Sequence, residues 1–188
     1  MLPLLFNDWK TVTRPLQKRG YNNRVLSAHH DPSPPKKKRK QTVLSDFETG
    51  VYQKQELNFA LAYSDFIRKI RNTNTGAVTS FLGVARPESA SGEKRVKSLV
   101  MESYERHANK ALRKICDELR AKYRLNRIII IHALGRFKVG EPVVLVAVAA
   151  ARRDSAFEAL REAVERYKKE PALFKQEIYV DGSSSWIG

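Results

Sequence analysis

The sequence predicts an α+β domain, a mostly antiparallel sheet with three helices packed on it. Three observations carry that expectation. Short apolar runs, alternating or rich in β-branched residues, occur at 77–84, 97–104, 127–134, 143–151 and 174–180. Apolar residues recur at helical spacing within 60–70, 107–122 and 155–169. The runs 127–134 and 143–151 are joined by the turn-rich link GRFKVGEP, which is too short for a helical crossover and so predicts a hairpin.

The elements follow in order. Residues 51–57 alternate weakly and predict a first strand. A helix over 60–70 sets Ala62, Phe66, Ile67 and Ile70 on one side and stops before the turn-forming NTNTG of 72–76. The strand AVTSFLGV (77–84) leads into a polar loop at 85–96. In the strand 97–104, Leu99 and Met101 share a face. The helix 107–122 aligns Ala108, Leu112, Ile115, Cys116 and Leu119. The last helix, 155–169, is followed by a closing strand at 174–180.

Before residue 50 no period persists. The segment DPSPPKKKRK (31–40) is a proline-rich turn followed by five consecutive cations, which repel one another and stay solvated. The sequence therefore divides into a basic, flexible extension at 1–49 and a domain at 50–188. The PKKKRK run fits a solvated linker, and also a nuclear-import signal or a nucleic-acid tether. His29 and His30 have no neighbours at ligand spacing, so no metal site is expected there.

The formal charge is +15, and both parts share it: 1–50 hold 10 Lys/Arg against 4 Asp/Glu, and 51–188 hold 25 against 16. Such a surplus favours anionic partners, whether nucleic acid, a phosphorylated small molecule or an acidic protein surface. The lone cysteine, Cys116, excludes a disulfide framework and a zinc-binding cysteine cluster, and it fits a reducing cytoplasm. Its place on an apolar helix face makes it a core residue. No apolar run approaches the roughly 20 residues of a membrane span. The opening MLPLLF is too short for the apolar part of a signal peptide.

The last forty residues carry the chemistry. Arg152 and Arg153 precede the final helix, where Ser155 and Glu158 have the spacing of a capping box. Cations beside a helix N-terminus suit a phosphate, although two arginines there are equally a plain surface pair. Phe157, Leu160, Val164 and Tyr167 define the expected buried stripe, with Lys168 on its edge and Lys169 pointing away. Pro171 ends the helix, and Lys175 lies on the returning strand. On residues alone, Lys168 is also explained as a lysine complementing the helix dipole. Facing one cleft, Lys168 and Lys175 would bind an anion.

The stretch from about 50 to 188 resembles the large, catalytic subunit of molybdopterin synthase. Five separated pieces agree with that family in order: TGAVTSFLGVAR (75–86), MESYERHANKALRKICDELR (101–120), IIHALGRFKVGEPVVLVAV (130–148), RRDSAFEA (152–159) and LFKQEIYVDGSSSW (173–186). The resemblance implies the family's α/β hammerhead fold. It also implies a reaction in which two sulfurs enter cyclic pyranopterin monophosphate to form the dithiolene of molybdopterin. The sulfur donor would be the Gly-Gly C-terminal thiocarboxylate of a small ubiquitin-like subunit, within a heterotetramer built on a dimer of large subunits. No cofactor or metal is implied for the transfer, and neither membrane nor nucleic acid is an expected partner.

Carried over by that resemblance, Lys168 and Lys175 align with the family's two active-site lysines. Lys168 is expected nearest the thiocarboxylate, and Lys175 is expected to orient substrate. Arg86 matches a phosphate-side arginine and Arg153 a second basic residue, in a pocket that the family builds from both large subunits. Arg152 stands where the family has histidine, so anion binding survives there while proton transfer does not. Ala133 replaces an arginine, and Phe174 a tryptophan. The alternative from residues alone is a basic α+β nucleic-acid module, which the lack of repeated stacking aromatics disfavours.

Overall fold

Strand β4 (Arg127–Lys138) organises the sheet in the computed structural model, which describes residues 46–187. Its four consecutive isoleucines are apolar throughout because both faces are covered. Ile128 and Ile130 pack into one core cluster with Leu112, Ile115 and Leu119, while Ile129 and Ile131 join Ala62, Phe66 and Ile70 in another. Alternate side chains of a strand point to opposite faces, so each isoleucine serves one layer. The helix α1 (Phe59–Ile70) covers one face, and α2 (Glu105–Tyr123) with α3 (Arg153–Tyr167) the other.

The sheet order is β2-β5-β4-β3-β6-β7, with β2 (Ala77–Val84), β5 (Pro142–Ala150), β3 (Val96–Ser103), β6 (Leu173–Tyr179) and β7 (Ser184–Ile187). These pairs are antiparallel; β1 (Gly50–Gln53) pairs with β4 in parallel. The α+β class with three helices is therefore the observed one. No helix among the described residues is long and apolar enough to cross a membrane.

Four local expectations are corrected. The segment GRFK is not a link but the second half of β4, and the turn is confined to 139–141. Phe137 is fully buried there, so the strand continues beyond Gly135, whose φ of +118° lets it switch from pairing with β5 to pairing with β3. The C-terminal strand β7 was not expected. Its residues 184–186 are exposed, so no apolar alternation announces it.

The domain also starts earlier than residue 50. Phe47 is 8% exposed within a core cluster, its N–H donates to Asp65, and Thr49 Oγ1 accepts from the Ile130 N–H at 3.3 Å. These contacts make 46–49 part of the fold rather than of the extension. The PKKKRK run and His29–His30 lie outside the described residues.

The fourth correction concerns α3. It begins at Arg153 with Arg152 as N-cap and no side-chain cap bond, so Ser155 and Glu158 form no capping box. Asp154 in the first turn supplies the favourable negative charge instead. Its buried residues are Ala156, Ala159, Ala163 and Tyr167; of the expected stripe Tyr167 is buried, Leu160 and Val164 are partly buried, and Phe157 is 59% exposed. The three alanines let the helix lie close on β2 and β5, close enough for Thr79 Oγ1 to donate to Ala156 O at 3.2 Å. Small residues, not large ones, face a sheet at that separation.

Candidate active site

The C-terminal end of α3 is tied down on three sides. Tyr167 is buried against His132, with ring centroids 6.2 Å apart. Arg166 donates to Glu118 of α2 at 2.5 Å and to Glu170 Oε2 at 3.0 Å, and these carboxylates push its pKa further up. Pro171 is buried and ends the helix region. Lys168 is the C-cap of this anchored end. Although expected on the edge of the buried stripe, it is exposed in the single chain. An open cavity of about 590 Å³ adjoins this segment, bounded by Tyr104, His107, Lys110, Lys114, Glu170 and Ala172.

Lys175 is held differently. It lies on β6, paired with Met101 of β3 and Ile187 of β7, and its side chain is 31% exposed. Its Nζ sits 2.8 Å from Glu177 Oε1. Two residues apart on a strand, Lys175 and Glu177 share a face. Glu177 is 1% exposed, the one carboxylate among the described residues that is so deeply buried. Its Oε2 accepts from the Ala90 N–H at 3.2 Å and from the Tyr179 hydroxyl at 3.4 Å. Burial alone would raise the Glu177 carboxyl. The bonds from Lys175 and Ala90, with the charges of Lys175 and Arg86, outweigh burial and hold it below the usual carboxylate range.

Arg86 follows β2 and opens the loop that contains Ala90; its guanidinium donates to Ser89 O at 3.3 Å. Lys175 bonds the Glu177 carboxylate directly, while Arg86 bonds within the loop whose Ala90 N–H reaches the other oxygen. Sequence reasoning missed Glu177. The signal available was a Lys-x-Glu-x-Tyr alternation at 175–179, which puts a carboxylate on the lysine's side of the strand.

Arg152 and Arg153 are not part of this group. Both are exposed, and Arg153 reaches only its neighbour Asp154, at 3.7 Å. They sit at the N-terminal end of α3, which at 1.5 Å per residue is roughly 24 Å from Lys168. One chain thus links Lys175 through Glu177 to the loop that Arg86 opens, but leaves Arg152 and Arg153 a helix length from Lys168. Ala133, where the resemblance has an arginine, is buried in a core cluster and offers no cation. Phe174 is exposed and meets Tyr104 edge to face at 5.5 Å.

Comparison with known proteins places this geometry in a family. The model of the family described as "MoaE protein" matches residues 53–170, which includes Lys168 and ends five residues before Lys175. The molybdopterin synthase catalytic subunit of Bos taurus is 37% identical over 111 residues, covering 59% of this chain and 58% of that protein. This match therefore spans little more than half of the bovine subunit. The molybdopterin synthase catalytic subunit of Bacillus subtilis is 36% identical over 124 residues, covering 66% of this chain and 77% of that protein. Among solved structures, molybdopterin synthase from Staphylococcus aureus superposes with a TM-score of 0.65 at 27% identity, covering 77% of this chain and 99% of that one. On the extent of the family match and the agreement of sequence and fold, this chain belongs to the MoaE family, whose relatives include molybdopterin synthase catalytic subunits.

Proposed function

We propose that this chain is the large subunit of a molybdopterin synthase, a cytoplasmic sulfurtransferase. It would move sulfur from the C-terminal thiocarboxylate of a small ubiquitin-like carrier to cyclic pyranopterin monophosphate, forming the molybdopterin dithiolene. The observation that carries this reading is the cationic group built around Glu177, in a domain of the MoaE family. Lys175 is paired with the buried Glu177 carboxylate, and the exposed Arg86 opens the loop that bonds the other oxygen, so its guanidinium is left for a bound anion. A relative is named a catalytic subunit, a name consistent with the separate carrier proposed here.

Both reactants are anions, and sulfur transfer from a thiocarboxylate builds negative charge on its oxygen and sulfur. A preorganised ammonium placed at that charge stabilises it most where water is excluded. Lys168 is exposed in the isolated chain, so the carrier's tail, once docked beside it, would supply the desolvation that the chain lacks. Lys175, already fixed by its ion pair, would orient the pterin. Arg86 would take the phosphate, assisted by Arg152 and Arg153 of a second copy, since those of the same chain are a helix length away from Lys168.

The test is reconstitution of the full chain with a thiocarboxylated carrier and the cyclic pterin, with molybdopterin measured as product. Formation of the dithiolene product, dependent on both components, is expected. Its absence with carrier that is fully thiocarboxylated overturns the reading.

A further inference from the structure

A second cavity, of about 500 Å³, opens between α2 and the first residues of β4. It shares no lining residue with the cavity beside Lys168. Arg113, Cys116 and Arg120 reach it from a flank of α2 turned away from Glu118 and Lys122, which bond α3. Its floor is polar but neutral: the Cys116 thiol and the Thr49 hydroxyl lie 3.4 Å apart, and burial pushes the thiol up to about 11. Arg127 closes the strand side. Glu48 takes one nitrogen of its guanidinium, Nη2, at 2.9 and 3.1 Å, and divides its charge with Lys69 at 2.7 Å. The Arg127 Nε is buried and has no acceptor among the described residues.

Donors outnumber acceptors around this space. Arg113 and Arg120 are exposed and stand two helical turns apart, roughly 10 Å along the axis, so their long side chains can meet on one group between them. Asp117, a turn from each, is the one carboxylate besides Glu48 that lines the cavity. The backbone adds a further donor. The Ile130 N–H points away from β5, since it donates to Thr49 Oγ1 at 3.3 Å. Alternation along the strand turns the Ile128 N–H the same way, toward the cavity. Three guanidinium groups and an amide thus face two carboxylates, one of which is already shared with Lys69.

We propose that this cavity is a second anion site, which takes the phosphate group of a small phosphorylated molecule between Arg113, Arg120 and Arg127. Guanidinium forks bind phosphate oxygens in pairs, and three forks from different directions suit a tetrahedral group better than a planar carboxylate. An incoming oxygen gives Arg127 the acceptor that its buried nitrogen lacks, once the guanidinium turns to it. The volume is that of a small-molecule site and exceeds a bare phosphate, so an organic part fits beside it. A nucleic-acid strand would call for aromatic faces on which to stack its bases, and no aromatic side chain among the described residues lines the cavity. The site stands apart from sulfur transfer and holds whether or not the chain performs that reaction.

The experiment titrates the full chain with inorganic pyrophosphate, followed by NMR of backbone amides and arginine side chains. Shifts are expected at the Ile128 N–H and the Arg127 Nε–H, saturating below roughly 10 mM. Arg120→Gln, a change at an exposed position, is expected to weaken that binding by about 10-fold or more, and Arg113→Gln, on the other helical turn, to do the same. Lys168→Ala is expected to leave it within about 2-fold, as for a site that shares no partner with the cavity. No shift at either group, wild-type affinity in both folded arginine variants, or loss of the Ile128 shift in Lys168→Ala overturns the proposal. Oligonucleotides of increasing length form the other arm. Binding that tightens with length, and is lost as much in Arg106→Gln as in Arg120→Gln, assigns these cations to a nucleic-acid track and overturns the small-molecule site.

Discussion

Arg152 and Lys168 cap opposite ends of the same helix, α3, and are therefore held roughly 24 Å apart by its length. A rigid helix cannot bring them to one small molecule. Cations that the sequence places in a single list thus belong to two different locations on the chain. If both ends act in one reaction, the N-terminal end of α3 serves the site of another copy.

That arrangement is testable by mixing. Arg153→Ala and Lys168→Ala are each expected to lower turnover by about 10-fold or more, since each removes a charge from the anion site. Subunits of the two variants, mixed and allowed to exchange, form hybrids with one site fully wild-type and one doubly altered. Activity of the mixture well above either variant is expected. If Arg153 and Lys168 acted within one chain, no hybrid would hold an intact site and mixing would restore nothing.

The start of the domain makes a separate prediction. Phe47 is buried in the cluster beneath α1, and Lys69 draws on Asp46 and Glu48 as well as Asp65. Deleting residues 1–41 is expected to leave the unfolding free energy within about 0.5 kcal/mol of the full chain. Deleting 1–48 removes Phe47 and is expected to cost about 3 kcal/mol, the scale of losing a buried aromatic. Denaturant unfolding of the two truncations checks it; equal stability would place 46–49 outside the cooperative unit.

Acid stability should carry the signature of one histidine. His132 is 3% exposed, and burial pulls its pKa down from 6.5 to about 4 despite the bond of its Nδ1 to Ala133 O. The unfolded chain therefore binds the proton in a range where the folded chain does not. Stability from this group is present in full above about pH 6.5, falls as pH drops toward 4, and levels off below. The loss amounts to about 3 kcal/mol over that window. The paired carboxylates Asp65 and Glu177, also held below their ordinary values, lose their contribution at lower pH still. Unfolding curves at pH 7 and pH 5 compare the wild type with His132→Leu, which is expected to show the smaller difference. The same slope in both proteins would assign the acid sensitivity elsewhere.

Cys116 is expected to be unreactive in the native state. Burial first, and the nearby Asp117 charge, push its thiol up to about 11, against the opposing bond to Thr49. Thiol titration at pH 8 should label it only on unfolding. Rapid labelling of folded protein would contradict the packing of α2 against β4.

Much of the fold was legible because period and burial agree. The strand AVTSFLGV was bounded at 77 and 84 by its sequence and is so bounded in the structure. The buried set of α2 follows its apolar spacing, since Leu112, Ile115 and Leu119 are the large residues of that face. In α3 the rule of placing large apolar residues inward holds for Tyr167, in part for Leu160 and Val164, and not for Phe157. Contact distance there selects Ala156, Ala159 and Ala163, and Phe157 is turned out. Residue size against the sheet, which no single-sequence period encodes, decides that case.

The sequence names candidate cations for the site and is silent on what holds them. Lys168, Lys175, Arg86, Arg152 and Arg153 were expected from the family resemblance and from charge at helix ends. Glu177 was not, because a glutamate on a strand reads as solvent-facing until the loop that buries it is known. Ala90 lies 87 residues away in sequence, and its N–H completes the burial. Long-range closure of that kind is set by topology.

The central claim is that Lys168 serves sulfur transfer from an anionic carrier tail. It is tested most directly by single-turnover transfer from thiocarboxylated carrier to the cyclic pterin, with wild type and Lys168→Ala compared at saturating carrier. Lys168 is exposed, so the variant is expected to keep its thermal stability while its transfer rate falls by at least about 10²-fold. Transfer by the variant at the wild-type rate would contradict the account.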